Sequence, residues 1–243
     1  MTMDTEVSSK ELLDLLKITA PGTNLREGLD NVLRAKTGGL IVLSDSQEVM
    51  SLLAGGFQLD CAYSPAHLYE LAKMDGAIIL NKDATKIICA NAHLNPDQDI
   101  PSEETGIRHR TAEKTARQTN ELVIAISQRR NVITLYKGDL KYFLKDTSVI
   151  LSKANQAVQT LEKYKNVLDS VLISLGVMEY DGSVTIADVA KVLQRAEMLV
   201  RVEQELTKYT CELGSEGRLI KMQVEELVAN VANEELRTIM DYQ

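Results

Sequence analysis

Every proline of this 243-residue chain (Pro21, Pro65, Pro96 and Pro101) lies within its first 101 positions, and nine of its thirteen glycines precede residue 149. Proline removes a backbone donor and clashes with the preceding helical turn, so a region without it can be helical throughout. The chain therefore divides into an N-terminal region, 1–148, of short alternating elements and a C-terminal region, 149–243, of helices. With 44% hydrophobic and 26% charged residues, both parts have the composition of a folded globular chain rather than a disordered or fibrous one.

In the C-terminal region apolar residues recur at helical spacing. Leu161, Tyr164, Leu168, Val171 and Leu175 mark one stripe, with breaks predicted near Gly176 and at Asp181-Gly182. A second helix is expected from Thr185, with Asp188 three residues later as its capping box. It carries Val189, Val192, Ala196, Leu199, Val200, Leu206 and Tyr209 until Gly214 stops it. A third run after Gly217 places Leu219, Met222, Leu227, Val231 and Leu236 on its apolar side.

The N-terminal region reads as an α/β layer structure. Gly39–Leu43, Ala77–Leu80, Lys86–Ala90, Leu122–Ser127, Val132–Tyr136 and Lys141–Leu144 are short apolar runs of strand type. Asn24–Ala35 and Ser64–Met74 read as helices, the latter with Ser64 as N-cap and Pro65 in its first turn. Gln128–Asn131 predicts a hairpin, whereas strand–helix–strand units favour parallel neighbours. The expected fold is a mixed twisted β-sheet flanked by helices, followed by an all-α helical domain.

Charge narrows the partners. The formal net charge is −8, so the molecule as a whole is unsuited to gripping nucleic acid or an anionic membrane. The helical region, with 10 basic and 15 acidic residues, is the more acidic part and reads as a packing or oligomer scaffold. No apolar run approaches the ~18 residues of a membrane span, and Met1–Lys10 is too polar for a secretory signal. A cytoplasmic location follows as an expectation. Three widely spaced cysteines, Cys61, Cys89 and Cys211, suit reduced thiols rather than disulfides or a zinc cluster.

One stretch reverses the overall sign. Between Thr105 and Arg130 stand Arg108, Arg110, Lys114, Arg117, Arg129 and Arg130 against Glu113 and Glu121, a local +4. Thr105-Gly106 makes a turn and Arg108-His109-Arg110-Thr111 opens an amphipathic helix, so free backbone N–H groups and guanidinium groups converge as a phosphate site requires. A solvated basic helix end would use the same residues. His109, between two arginines, should be held neutral. Asp75-Gly76-Ala77 enters a strand, where a carboxylate could meet a divalent metal or accept a proton and Gly76 could admit a ligand, although a plain turn has the same composition. His67 suits a structural role in its helix, and His93, four residues past Cys89, lacks the second pair that zinc needs.

Together, Ser64–Leu80 with its Asp75-Gly76-Ala77 and Glu104–Glu113 with its Arg108-His109-Arg110 resemble the bacterial diadenylate cyclase domain, whose hallmarks are those two motifs in that order. Further runs at 20–23, 37–41, 123–127, 130–134 and 161–165 are similar to one branch of that family, in which a helical region follows the cyclase domain. The resemblance spans essentially the whole chain. It implies residues 1–148 as the cyclase domain and 149–243 as a helical linker.

The resemblance also implies a reaction: two ATP molecules condense to cyclic di-AMP, releasing two pyrophosphates, with Mg²⁺ or Mn²⁺ as cofactor. Two ATP-loaded domains would face each other, in an assembly expected to be a homo-octamer. By the same resemblance Asp75, Arg108, His109 and Arg110 are the catalytic candidates, and Asp75 is the metal ligand. Gly76, Ala77, Leu94, Thr105, Gly106, Ile107, Thr111, Ser127, Arg129 and Arg130 join them in binding nucleotide, Leu94 from a loop against the adenine. Members of this branch carry a C-terminal helix-hairpin-helix domain for DNA, for which nothing after Gly217 has room, so no DNA binding is expected of this chain itself. The alternative from another class is a catalytically silent module holding ATP or cyclic di-AMP as a regulatory ligand. A third reading is an adenylyltransferase acting on a foreign hydroxyl.

Overall fold

The computed structural model describes residues 2–229 and 231–242. The chain separates into two compact units, Met1–Lys145 and Asp146–Gln243. The first unit contains, in order, α1 (Thr2–Ile18), α2 (Asn24–Ala35), β1 (Gly39–Leu43), α3 (Gln47–Ser51), β2 (Leu53–Ala54), β3 (Phe57–Ala62), α4 (Pro65–Leu71), β4 (Ala77–Leu80), β5 (Lys86–Leu94), α5 (Ile107–Thr119), β6 (Leu122–Ser127), β7 (Val132–Lys137) and β8 (Leu140–Leu144).

The strands form one mixed sheet in the order β2-β5-β4-β1-β6-β7-β8, with β3 also paired to β5. Strands β1 and β4 run parallel, and the other pairings are antiparallel. Both central strands are buried along their whole length, which explains their continuous apolar sequence: helices cover both faces. On one face Leu40, Val42, Ala77, Ile79, Val123 and Ala125 pack with Ala112 and Ala116 of α5. Those alanines bring α5 close to the sheet. On the opposite face Val32 of α2 lies over Gly39, its Cγ1 3.6 Å from where a Cβ would stand.

The segment before α4 holds three elements absent from the sequence expectation: α3, β2 and β3. β2 and β3 lie in succession along β5, pairing with His93 and Leu94 and then with Lys86–Ala90, with Gly55 and Gly56 at positive φ (68° and 90°) between them. β3 is mostly exposed, so its alternation of Phe57, Leu59 and Cys61 buries little and gave no clear signal. α1 matches none of the runs named from the residues, and of its described side chains Leu15 and Leu16 are buried.

The second unit comprises α6 (Thr147–Tyr180), α7 (Ile186–Leu213), a short 3₁₀ turn (Gly214–Gly217), α8 (Arg218–Val228) and α9 (Val231–Asp241). Leu161, Leu168 and Leu175 of α6 share a core with Val192, Leu199, Leu206 and Leu213 of α7, one residue every seventh position on each helix. Asp188 accepts from the Thr185 N–H at 3.3 Å and hydroxyl at 2.6 Å, the expected capping box. Two expectations fail. α6 runs unbroken through Gly176, whose surroundings are open, and ends at Asp181-Gly182. Leu219, Met222 and Leu236 are exposed and Ile220 and Val224 take the buried side instead, whereas Val231 is buried as expected. Among the described residues no helix is long and apolar enough to cross a membrane.

Candidate nucleotide site

The N-terminus of α5 is the centre of the site. Gly106 occupies its cap position in an extended conformation and no side chain caps it, so the first N–H groups of the helix are left for a ligand. Two clefts flank this end. One, about 370 Å³, is lined by Glu104, Thr105, Gly106, Ile107, Arg108 and His109, by Ile126 and Ser127 at the end of β6, and by Gln128, Arg129 and Arg130 of the β6–β7 turn. The other, about 520 Å³, is lined by Leu40, Gly76, Ala77, Ala92, His93, Leu94, Asn95, Ile107, Arg108 and Thr111. Ile107 and Arg108 belong to both.

Most of the residues singled out from sequence thus meet around one helix end. Asp75 and Arg110 do not line either cleft. Asp75 is exposed at the entry to β4, next to Gly76 on the wall of the larger cleft. Arg110 Nε donates to the Glu104 carbonyl at 3.2 Å. Leu94 is not in a loop: it is the last residue of β5, buried and paired with Leu53. The β6–β7 turn is the expected hairpin, with Asn131 in the left-handed region and the Ser127 hydroxyl accepting from the Arg130 N–H at 3.2 Å.

The basic island is smaller than its sequence. Lys114 is buried and donates to the Gln98 carbonyl at 2.7 Å, and Arg117 pairs with Glu113 and Asp139. Both sit on later turns of α5 and serve the fold. Among the described residues no carboxylate pairs with Arg108, Arg110, Arg129 or Arg130, so four cations remain around the helix end.

Two glycines shape this geometry. Gly76 has φ +99°, and a Cβ there would lie 2.9 Å from the Asn91 carbonyl carbon and 3.0 Å from the Ala92 oxygen. Its missing side chain is therefore required by the close passage of β5, not by a ligand alone. Gly38 has φ +74°, and its Cβ would fall 2.4 Å from Arg108 Nη1. The guanidinium occupies the space a side chain would take.

A buried chain of polar groups stands behind the smaller cleft. His109 Nδ1 lies 3.0 Å from Tyr136 Oη, which donates to Glu104 Oε1 at 2.8 Å, and Glu104 also pairs with Lys141. Burial would raise the Glu104 carboxyl, but the hydrogen bonds from Lys141 and Tyr136 outweigh it and hold it below the usual range. Burial lowers His109 in the first place; Glu104 opposes this, and Arg130, Arg108 and Lys141 add to it. The sequence had credited the neighbouring arginines alone. Glu104, Tyr136 and Lys141 carry no motif, and only Glu104, two residues ahead of Gly106, lay near one.

As for a cation, no cluster of three His, Cys, Asp or Glu able to hold a metal exists among the described residues. A single exposed carboxylate, Asp75, suits a hard divalent ion such as Mg²⁺ or Mn²⁺, which keeps waters and takes ligand phosphates beside one or two carboxylates.

A mixed sheet whose helix α5 opens uncapped into a cationic double cleft defines an α/β domain suited to an anionic ligand, followed along the chain by a helical unit. Residues 26–140 match the family model for the DisA bacterial checkpoint controller nucleotide-binding region, and residues 144–243 match that for its linker region. The chain belongs to this family. It is 64% identical over 227 residues to the DNA integrity scanning protein DisA of Carboxydothermus hydrogenoformans, covering 93% of this chain and 64% of that protein. The DisA of Clostridium botulinum strain Loch Maree is 56% identical, covering 96% of this chain and 66% of that protein. The chain thus spans somewhat less than two thirds of the length of these relatives. Among solved structures, DacA from Staphylococcus aureus aligns at 18% identity and a TM-score of 0.41, over 60% of this chain and 92% of that one.

Proposed function

We propose that the N-terminal unit is a diadenylate cyclase that joins two ATP molecules into cyclic di-AMP with release of two pyrophosphates. The observation that carries this reading is Arg108, shared by two clefts at an uncapped helix N-terminus and without a carboxylate partner among the described residues. An ATP spread across both clefts would have its phosphates at the helix end and its base toward Leu94. Each phosphodiester forms when the 3′-oxygen of one nucleotide attacks the α-phosphorus of the other. The bond from that phosphorus to the β-phosphate oxygen breaks, and pyrophosphate leaves.

Such transfer needs positioning and charge stabilisation more than a protein nucleophile. Arg108, Arg110, Arg129 and Arg130 offset the charge of the triphosphate, and the free N–H groups of α5 orient it. Asp75 would hold a divalent ion, Mg²⁺ or Mn²⁺, which would supply charge stabilisation for the phosphates during transfer. Asp75 helps take up the proton of the attacking hydroxyl. One domain cannot close the ring alone, so two copies must face each other, in an assembly we take to be the octamer. Ile107, 84% exposed between the clefts, is an apolar contact available to such a facing copy.

Purified protein incubated with ATP and Mn²⁺ or Mg²⁺ should yield cyclic di-AMP by mass spectrometry. Light scattering with activity measured on each fraction should place turnover in oligomers. Nucleotide binding without product would favour the silent module, an adenylylated foreign hydroxyl would favour the general adenylyltransferase, and an active monomer would exclude facing domains.

Gly38→Ala provides a separate check on the site. A side chain at this positive φ costs on the order of 1–2 kcal/mol of stability, and it displaces the Arg108 guanidinium. Denaturant unfolding should register the first effect and ATP titration a weakened affinity. Unchanged ATP affinity would show that the position of Arg108 is unimportant to binding.

A further inference from the structure

We infer that Tyr136, Glu104 and Lys141 are positioning residues that hold the His109 ring as its Nδ1–H tautomer, leaving Nε2 as a bare acceptor for an O–H group of the bound ligand. Glu104 is buried, at 7% exposure, and paired with Lys141, so it is an ionised carboxylate able only to accept. Tyr136 Oη must then donate to it across 2.8 Å. With its one proton spent, the phenol oxygen can only accept from His109 Nδ1 at 3.0 Å, which requires Nδ1 to carry the hydrogen.

The neutral ring has no second proton, so Nε2 is unprotonated. That atom is buried and has no partner among the described residues, while the ring lines the smaller cleft and its Cδ2 edge faces Gly106. A buried polar atom left unsatisfied costs about 1–3 kcal/mol, a cost a ligand donor would remove. The charged groups around the ring are Arg108 on its own helix, Arg130 on the β6–β7 turn, Lys141 on β8 and Glu104 on the preceding loop. Burial and the three cations favour the neutral form, and Glu104 opposes it. His109 therefore differs in duty from the arginines beside it. They meet phosphate oxygens as donors, whereas His109 accepts from an O–H of the nucleotide sugar or of a water held by the nucleotide.

The tautomer stands independently of the cyclase reading, while the ligand role rests on it, and the experiment separates the two. Protein deuterated elsewhere and carrying ¹⁵N-histidine has three imidazoles to resolve, and loss of one signal in His109→Gln assigns it. Long-range ¹H–¹⁵N spectra of the free protein should show Nδ1 protonated and Nε2 bare. The opposite tautomer, or a charged ring at neutral pH, would overturn the proposal whatever the activity. Adding tripolyphosphate, which brings no sugar hydroxyl, should leave Nε2 unprotonated. Protonation of Nε2 by that ligand would make His109 a phosphate donor and also overturn it.

A non-hydrolysable ATP analogue should shift Nε2 in the direction of an accepted hydrogen bond. If its 2′,3′-dideoxy form abolishes that shift the donor is a sugar hydroxyl, and if the shift persists the donor is water; no shift with either refutes the ligand role. In kinetics, Tyr136→Phe should lower kcat about tenfold with little change in KM, the weight of one buried hydrogen bond. Glu104→Gln, which keeps an acceptor for Tyr136, should lose less. Wild-type turnover should persist as pH falls to the ordinary histidine value of 6.5 and fall only below it, because protonation removes the acceptor and the folded site resists it.

Discussion

Asp75→Asn should reduce cyclic di-AMP formation by on the order of 10³-fold while leaving the protein folded. The side chain is exposed at the entry to β4, so its replacement disturbs little packing and should change stability by no more than about 0.5 kcal/mol. What it removes, on the proposed mechanism, is the negative charge that would hold a divalent ion and the carboxylate that would take up the hydroxyl proton. Losses of a general base or of a charge-stabilising group fall in the range of about 10²–10⁴-fold. ATP binding, measured without divalent ion, should be nearly unchanged, because the cations that would hold the triphosphate lie around α5. An asparagine variant with full turnover would remove Asp75 from the chemistry and return its motif to a plain strand-entry turn.

Arg108→Ala should cost comparably, but through binding as well as rate. The guanidinium faces both clefts and is unopposed by any carboxylate among the described residues, so its loss should weaken ATP contacts on both sides of the helix end. A hydrogen bond to a charged group contributes about 1.5–3 kcal/mol, and two such contacts correspond to a fall in kcat/KM of roughly 10²–10³-fold or more. Arg108→Lys should recover only part of this, since an ammonium keeps the charge and loses the planar fork. The Gly38→Ala variant supplies an internal comparison: it leaves the arginine present but displaced, and its affinity loss should lie between those of wild type and Arg108→Ala. A wild-type KM in Arg108→Ala would place the phosphates elsewhere.

The two variants test different links. Asp75 bears on chemistry at an exposed strand entry, whereas Arg108 bears on the union of two clefts that only the folded sheet brings together. A chain impaired by Arg108→Ala and not by Asp75→Asn would be the silent nucleotide-binding module.

Much of the fold was legible in the residues. β1, β4 and β6 were found to the residue, because a strand buried on both faces is a continuous apolar run that helices do not imitate at that length. α2 was equally clear, with Thr23 accepting from the Arg26 N–H as its cap. Where burial is one-sided or slight the signal faded. Edge strand β3 was invisible, and the outward Leu219, Met222 and Leu236 were placed inside because hydrophobicity alone does not say which side of a helix is covered. Gly176 was read as a break on local propensity, which the shared core of α6 and α7 overrides.

By itself the sequence determined the division into an α/β unit and a helical unit, the central strands, and the concentration of Asp75, Arg108 and Arg110 in short motifs. These depend on neighbours along the chain: proline and glycine placement, apolar periodicity and cap residues act within a few positions. The tertiary structure decided which cations remain free, why Gly38 must lack a side chain, and that His109 is oriented by Tyr136 and, behind it, Glu104. Those hydrogen bonds join residues 27 and 32 positions apart, and they exist because sheet register and the seating of α5 bring distant side chains within 3 Å. Register is a property of paired strands, and no local pattern along one of them encodes it.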